Sequence, residues 1–360
     1  MAEHFSFGSV PWQRLHVGPL ASHIDAFADR LHERGFAEFT GRIKLRLIAN
    51  FSLWLKRRGL HVVDVGGKTV AKYLTHRRRY VVVQLGDPET LRDFLKMLQE
   101  FGVVAVIPPR VDESPITCIV RDFGQYLSQE RGLSDASLAN SLPFVRRFLV
   151  RCFSGKPVLL EELRPSDVTS FVLHNAHAAS PSRAKLMVGA LRSFFRFLCL
   201  RGDISIDLAG TVPSVAAWRY STLPRSLDSK DVEILLSGCD QGTTAGRRDY
   251  AILLLLARLG LRSGEVVALT LDDLDWDAGE LTVRGKGSRR DRLPIPRDVG
   301  KAMTTYLRHD RVACSTRRVF VRIKAPRGGL GRTAVGCVVK RALTRADLHP
   351  PHRGAHLLRH

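Results

Sequence analysis

The chain is 360 residues long, 44% hydrophobic and 25% charged, a composition that fits two or three folded domains and excludes disorder over most of its length. Its 56 Lys and Arg against 35 Asp and Glu give a net charge of +21, the mark of a protein whose partner is a polyanion, nucleic acid above all. Six scattered cysteines with no Cys-x-x-Cys pair argue against a disulfide framework or a cysteine zinc site, no basic-then-apolar leader follows Met1, and the longest apolar run, Ala251 to Leu256, is far short of a membrane span, so a cytoplasmic protein is expected.

After about twenty residues of weak pattern, Leu20, Ile24, Phe27 and Leu31 have helical spacing and predict a helix to Arg34, closed by Gly35. Thr40 to Leu55 is predicted as a second helix with Ile43, Leu47, Phe51 and Trp54 on one face, and Thr69 to Leu74 as a short third. Asp87-Pro88 supplies a start for a fourth helix, which runs to Phe101 and ends at Gly102. Pro108-Pro109 and the segment from Asp112 to Pro115 have the character of a linker.

From Thr117 the same succession recurs. Glu130-Arg131-Gly132-Leu133 repeats Glu33-Arg34-Gly35-Phe36, and Ser137 and Phe148 stand where Thr40 and Phe51 stood. Further on, the run from Leu191 to Leu198 parallels Leu91 to Leu98, and Gly202 answers Gly102. The pattern points to a duplicated four-helix module, with the final helix of each copy read as basic. In the second copy Arg183, Lys185, Arg192 and Arg196 are candidates for a phosphate-facing side, with Phe194, Phe195 and Phe197 packing inward; a solvated basic face is the competing account.

Thr211 to Arg225 has no clear period and reads as an interdomain linker. Leu227-Asp228-Ser229 caps a helix through Leu236, and the nearly continuous apolar run from Asp249 to Leu259 predicts a helix buried on most sides. Gly260 breaks it and delivers Arg262, three residues before Glu265, either as a functional arginine with its orienter or as a structural pair. Leu281 to Arg284 and Arg292 to Ile295 alternate as paired strands around Gly285-Lys286-Gly287-Ser288. Arg284, Lys286, Arg289, Arg290 and Arg292 against Asp291 make this hairpin tip densely positive. Val299 to Arg308 is then a helix, Val319-Phe320-Val321 a short strand, and Thr333 to Leu343 a helix. The terminal His356-Leu357-Leu358-Arg359-His360 places a proton-moving imidazole and a phosphate-binding guanidinium three residues apart.

Leu259-Gly260-Leu261-Arg262-Ser263-Gly264-Glu265, the Gly285-Lys286-Gly287 hairpin and His356-x-x-Arg359 occur in the order and approximate spacing of the tyrosine recombinases, the phage-integrase family of site-specific DNA recombinases, which this chain resembles. The resemblance implies a mainly α fold with a small β-sheet. A helical, SAM-like core-binding domain, duplicated here, precedes a mixed α+β catalytic domain that lacks its C-terminal part. The expected boundaries are 1–112 for the N-terminal helical copy, 113–210 for the core-binding domain, 211–225 for the linker and 226–360 for the catalytic domain. The N-terminal copy is not a standard part of the family.

By the same resemblance Arg262 and Arg359 clamp the scissile phosphate, Lys286 protonates the leaving 5′ oxygen, His356 assists proton transfer and Glu265 orients from behind. Arg183, Lys185, Arg192, Arg196, Arg284, Arg289 and Arg290 are the expected DNA contacts. Double-stranded DNA and other recombinase protomers are the implied partners, with no cofactor, no metal and no membrane. The family's nucleophilic tyrosine lies downstream of His-x-x-Arg, whereas Tyr73, Tyr80, Tyr126, Tyr220, Tyr250 and Tyr306 all precede it. The expectation is a C-terminally truncated recombinase that does not cleave in cis, or an integrase-derived protein that binds DNA without cutting. A zinc site built from His349, His352, His356 and His360 is the weaker alternative, since Pro350-Pro351 interrupts any helix and no cysteine or carboxylate ligand was read nearby. A type IB topoisomerase shares the chemistry but fits the domain order less well.

Overall fold

The computed structural model describes residues 5, 15–106, 112–215, 226–285 and 289–359. Pro108-Pro109, most of the stretch read as a linker (216–225), Tyr220, the hairpin tip at 286–288 with Lys286, and His360 lie outside the described residues. Helix dominates, and the sheet among the described residues has three short strands. Two compact units are present, one made of residues 1–106 and 224–360 and the other of residues 107–223. They contain three separate apolar cores.

The N-terminal core is enclosed by α1 (Ile24–Glu33), α2 (Glu38–Arg57), α3 (Gly67–Arg77) and α4 (Asp87–Glu100). Leu20, Ile24, Phe27 and Leu31 are buried as their spacing predicts. On α2 Leu47, Phe51 and Trp54 are buried as predicted, Leu45, Ile48 and Leu55 join them, and Ile43 alone of the predicted face is 44% exposed.

The second core is enclosed by α5 (Pro115–Gln129), α6 (Asp135–Phe153), α7 (Pro165–His177) and α8 (Pro181–Arg201), closed by the short α9 (Leu208–Thr211) that Asp207 caps through the amides of Ala209 and Gly210. Val212 is buried in this core. The repeat noted in the sequence has a counterpart in the succession of elements. Gly35 and Gly132, then Gly102 and Gly202, stand at equivalent helix ends with φ of +76°, +59°, +70° and +78°. Phe51 and Phe148, like Phe94 and Phe194, are fully buried. The final helices differ, and the reading that both are basic is corrected. α8 has five Lys and Arg with no acidic residue, but α4 has Arg92 and Lys96 against Asp87, Glu89, Asp93 and Glu100. Those carboxylates pair inward across the bundle, Asp93 with Arg34, Glu100 with Arg30 and Asp87 with Arg77.

The third core is built around α11 (Thr244–Arg258), whose residues Ala251 to Leu256 are all at most 1% exposed. Around it pack α10 (Ser229–Ser237), α12 (Ser263–Ala268), α13 (Arg297–His309) and α14 (Arg332–Arg345). An all-apolar helix needs neighbours on every side, and these provide them. Beside them lies an antiparallel sheet in the order β1 (Leu274–Asp275), β2 (Glu280–Arg284), β3 (Arg290–Pro294), with Leu281 opposite both Leu274 and Leu293. Val319-Phe320-Val321, predicted as a strand, is buried but bent. The Val319 amide donates to the Leu269 carbonyl, the Val321 amide to the Tyr306 hydroxyl, and the Phe320 carbonyl accepts from Leu330. Three neighbours in three directions give burial without a ladder.

Candidate active site

Gly260 takes φ +60° directly after α11, a conformation that suits glycine, and Leu261 returns an amide to the Leu255 carbonyl at 3.3 Å. The sharp turn leaves Arg262 as the N-cap of α12. Glu265, three residues into the helix, accepts from the Arg262 backbone N–H at 2.8 Å through Oε2 and from its Nη1 at 2.6 Å through Oε1. One buried-side carboxylate thus caps the helix and aims the guanidinium, which is 57% exposed while Glu265 is 11% exposed. The structural pair is thus present, and the same bonds fix the direction of the Arg262 guanidinium.

The terminal motif forms a 3₁₀ turn, Ala355–Leu358, with Arg359 as its C-cap. Three residues per turn align positions i and i+3, so His356 and Arg359 still project together. Buried Ala355, Leu357 and Leu358 anchor the turn against α11 and α14, and the Leu357 carbonyl accepts from the Leu227 amide at 3.2 Å. His356 and Arg359 stay exposed. A Cβ built on Gly260 would lie 3.7 Å from Arg359 Cγ, which places Arg359 against the turn that presents Arg262. A Cβ built on Gly354 would lie 2.6 Å from both His356 Nδ1 and Cε1, so the glycine leaves the space its imidazole fills.

Sequence reasoning did not single out Arg332. Its Nε lies 3.2 Å from where a Cβ on Gly264 would be, which brings this guanidinium beside α12. A basic residue opening a helix after Gly328-Gly329, against the helix dipole, was the available signal. In the first half of α11, Asp249 accepts from Arg248 Nη2 at 2.7 Å and from Arg341 Nη2 at 2.8 Å, while Arg248 Nη1 reaches the Val321 carbonyl at 3.2 Å. This buried network ties α11 to α14 and to the bent segment.

The other expected contacts divide into two kinds. Arg183, Lys185 and Arg196 are exposed on α8, and Arg183 with Arg147 flanks the Phe144 ring at 5.7 and 5.4 Å. Arg192 is half-buried and donates to the Val212 carbonyl and the Ser214 hydroxyl, both at 2.9 Å. On the hairpin Arg284 is opposite Arg290 in register, and the Gly285 amide donates to the Arg289 carbonyl at 2.8 Å, bracketing the undescribed tip. Arg284 also bonds Asp273 at 2.9 Å. Burial opposes the charge on Asp273, but bonds from the Thr270 hydroxyl and amide and from Arg284 hold its carboxyl below the usual range. Arg289 lies 3.6 Å from Asp291.

Among the described residues no three His, Cys, Asp or Glu side chains converge as a metal site, and His349 Nδ1 meets Arg353 at 3.2 Å. Tyr306 is 1% exposed, its hydroxyl accepts from the Val321 amide, and burial pushes its phenol up. Tyr73 is buried in the N-terminal core.

Residues 225–360 match the phage integrase family. Over 346 residues the chain is 41% identical to the putative integrase/recombinase y4rA of Sinorhizobium fredii (strain NBRC 101917 / NGR234), covering 95% of this chain and 84% of that one. It is 30% identical over 251 residues to the tyrosine recombinase XerD of Listeria monocytogenes, covering 67% and 82%. Its fold is similar to that of the XerH site-specific recombinase in a post-cleavage complex with palindromic difH substrate, with a TM-score of 0.53, 15% identity and 81% of each chain covered. The chain belongs to the phage integrase family of tyrosine recombinases. Among its described residues no helix is long and apolar enough to cross a membrane.

Proposed function

We propose that this chain acts in site-specific recombination of double-stranded DNA, by strand cleavage and rejoining through a 3′-phosphotyrosine, with other protomers assembled on the same DNA in the cytoplasm. The observation that carries it is the apposition of Arg359 to the Gly260 turn that presents Arg262. Arg262 and Arg359 grip the scissile phosphate and stabilise the charge that develops there, His356 assists proton transfer, Lys286 protonates the leaving 5′ oxygen, and Glu265 holds Arg262 in place. Arg183, Lys185 and Arg196 on α8, and Arg284, Arg289 and Arg290 on the hairpin, contact the DNA backbone. Arg192 does so through whatever donors its bonds to Val212 and Ser214 leave. Family kinship, net charge and exposure of these groups support the reading. We further read residues 1–112 and 113–210 as duplicated helical modules and 226–360 as the catalytic domain.

A second reading is favoured by the tyrosines: all six precede His356 in the chain, and Tyr73 and Tyr306 are buried. On this reading the chain occupies DNA without cutting it in cis. A nicked suicide duplex, selected for binding from a random pool, tests both. The 360-residue chain is expected to form no covalent adduct, while its fusion to a tyrosine-bearing segment of a related recombinase forms one that Arg262→Ala abolishes. An adduct with the 360-residue chain itself sinks the second reading; weak binding with a flat salt response sinks the first.

A further inference from the structure

We propose that the N-terminal module is itself a duplex-DNA-binding element, through a cationic face formed by the end of α2 and the length of α3. The inference rests on DNA being the partner of this chain and adds a site distinct from the arginine pair. Residues 56–79 hold eight Lys and Arg against one Asp, a net +7 of the chain's +21. Lys56, Arg57, Arg58, Lys68, Lys72, Arg78 and Arg79 are all exposed. The module's carboxylates lie largely elsewhere: Asp93 and Glu100 pair with Arg34 and Arg30 of α1, and Asp87 holds Arg77.

Helix stability does not account for this charge. Basic residues at the last turn of α2 complement its dipole, but Lys68 lies in the first turn of α3, where a cation is unfavourable and no acidic residue balances it. Nor is the charge a property of the repeat, because the equivalent α7 contains no Lys or Arg. Lys68, Lys72 and His76 fall at successive turns of one face of α3, a line about 12 Å long at 1.5 Å per residue, and Arg79 follows in the turn just past the helix end. A line of that length suits a polyanion with closely spaced phosphates better than a single small anion.

Beside the line is a cleft of about 350 Å³, bordered by Trp54, Arg58, Lys72, Thr75, His76 and Arg79. The Arg58 guanidinium stacks on the Trp54 ring at 4.7 Å, and Trp54 is 6% exposed. Its indole Nε1 has no hydrogen-bond partner among the described residues. A buried donor without an acceptor is unfavourable, so the indole is a point of unmet polarity in a residue that borders the cleft.

The test uses the full chain with Lys72→Ala and Arg79→Ala together, and duplex affinity measured by anisotropy between 50 and 200 mM salt. Loss of two phosphate contacts flattens the slope of log K against log[salt] by about 1.8, so the deficit relative to wild type narrows about 12-fold over that range. The thermal midpoint should not move, since both side chains are exposed. A wild type that is itself insensitive to salt overturns the DNA reading as a whole. A steep wild type matched by an equally steep double variant overturns this inference alone, provided Arg262→Ala still flattens the slope. Preference of the N-terminal face for single-stranded RNA, seen as competition that the double variant loses, also overturns it.

Discussion

Replacing Arg262 with alanine separates the grip on a phosphate from the stability of the fold. The side chain is 57% exposed, so its pair with Glu265 is a surface ion pair despite the good geometry. Such a pair contributes about 0.2–1 kcal/mol, and the cap that Glu265 makes on the backbone N–H at position 262 survives the change. A loss of that size lowers the thermal midpoint by at most roughly 4 °C in a domain of 150–250 residues. On DNA the effect is larger and has a distinct signature. One lost phosphate contact reduces the slope of log K against log[salt] by about 0.9, so the deficit against wild type narrows about 3.5-fold between 50 and 200 mM salt. Anisotropy titrations of a labelled duplex across that range, run beside thermal melts, read both quantities. Parallel salt plots combined with a drop of more than about 10 °C would refute the reasoning and leave Arg262 a structural residue.

Asp249→Ala leaves Arg248, 9% exposed, without its buried counter-charge and should destabilise the catalytic domain by about 3–5 kcal/mol, visible as an early denaturant midpoint; less than 1 kcal/mol would mean that the pair is not buried as described. Gly354→Ala meets ordinary backbone, φ −104°, so its effect falls on the His356 imidazole: stability stays within about 0.5 kcal/mol while the His356 ring resonances shift, and an unmoved resonance contradicts the contact. Bonds from Arg247 hold the Asp310 carboxyl below its usual range, so its stabilising effect is present above the ordinary carboxylate pKa and is lost as pH falls through the lower folded value. The stability gap between wild type and Asp310→Asn should therefore close on acidification, and a gap constant with pH would exclude this linkage.

Much of the site was legible because its elements are local. The Gly260 turn, the Arg262–Glu265 spacing and the β2–β3 hairpin are each set by a few adjacent residues, and hydrophobic period announced α11 as buried. The helix ends at Gly35, Gly102, Gly132 and Gly202 were legible for the same reason, each being set by a glycine with positive φ. The final helix of the N-terminal module was misread as basic because Arg92 and Lys96 stand out in the chain, whereas Asp87, Glu89, Asp93 and Glu100 share the same helix. The Val319–Val321 segment was misread because alternation and β-branching predict burial, whereas a ladder also needs a neighbouring strand.

Local chemistry is written along the chain: which residues cap, turn and bury, and which motif residues stand in family order. The tertiary structure alone decided what lies beside what. Arg359 is nearly a hundred residues from Gly260, and nothing periodic in the chain states that they touch; packing of the 3₁₀ turn on α11 and α14 brings them together. Arg332 reaches Gly264 in the same way, and only the fold brings the Val212 carbonyl and the Ser214 hydroxyl to Nη2 of Arg192. Long-range contact depends on how whole elements pack, and a residue's neighbours along the chain carry little information about that.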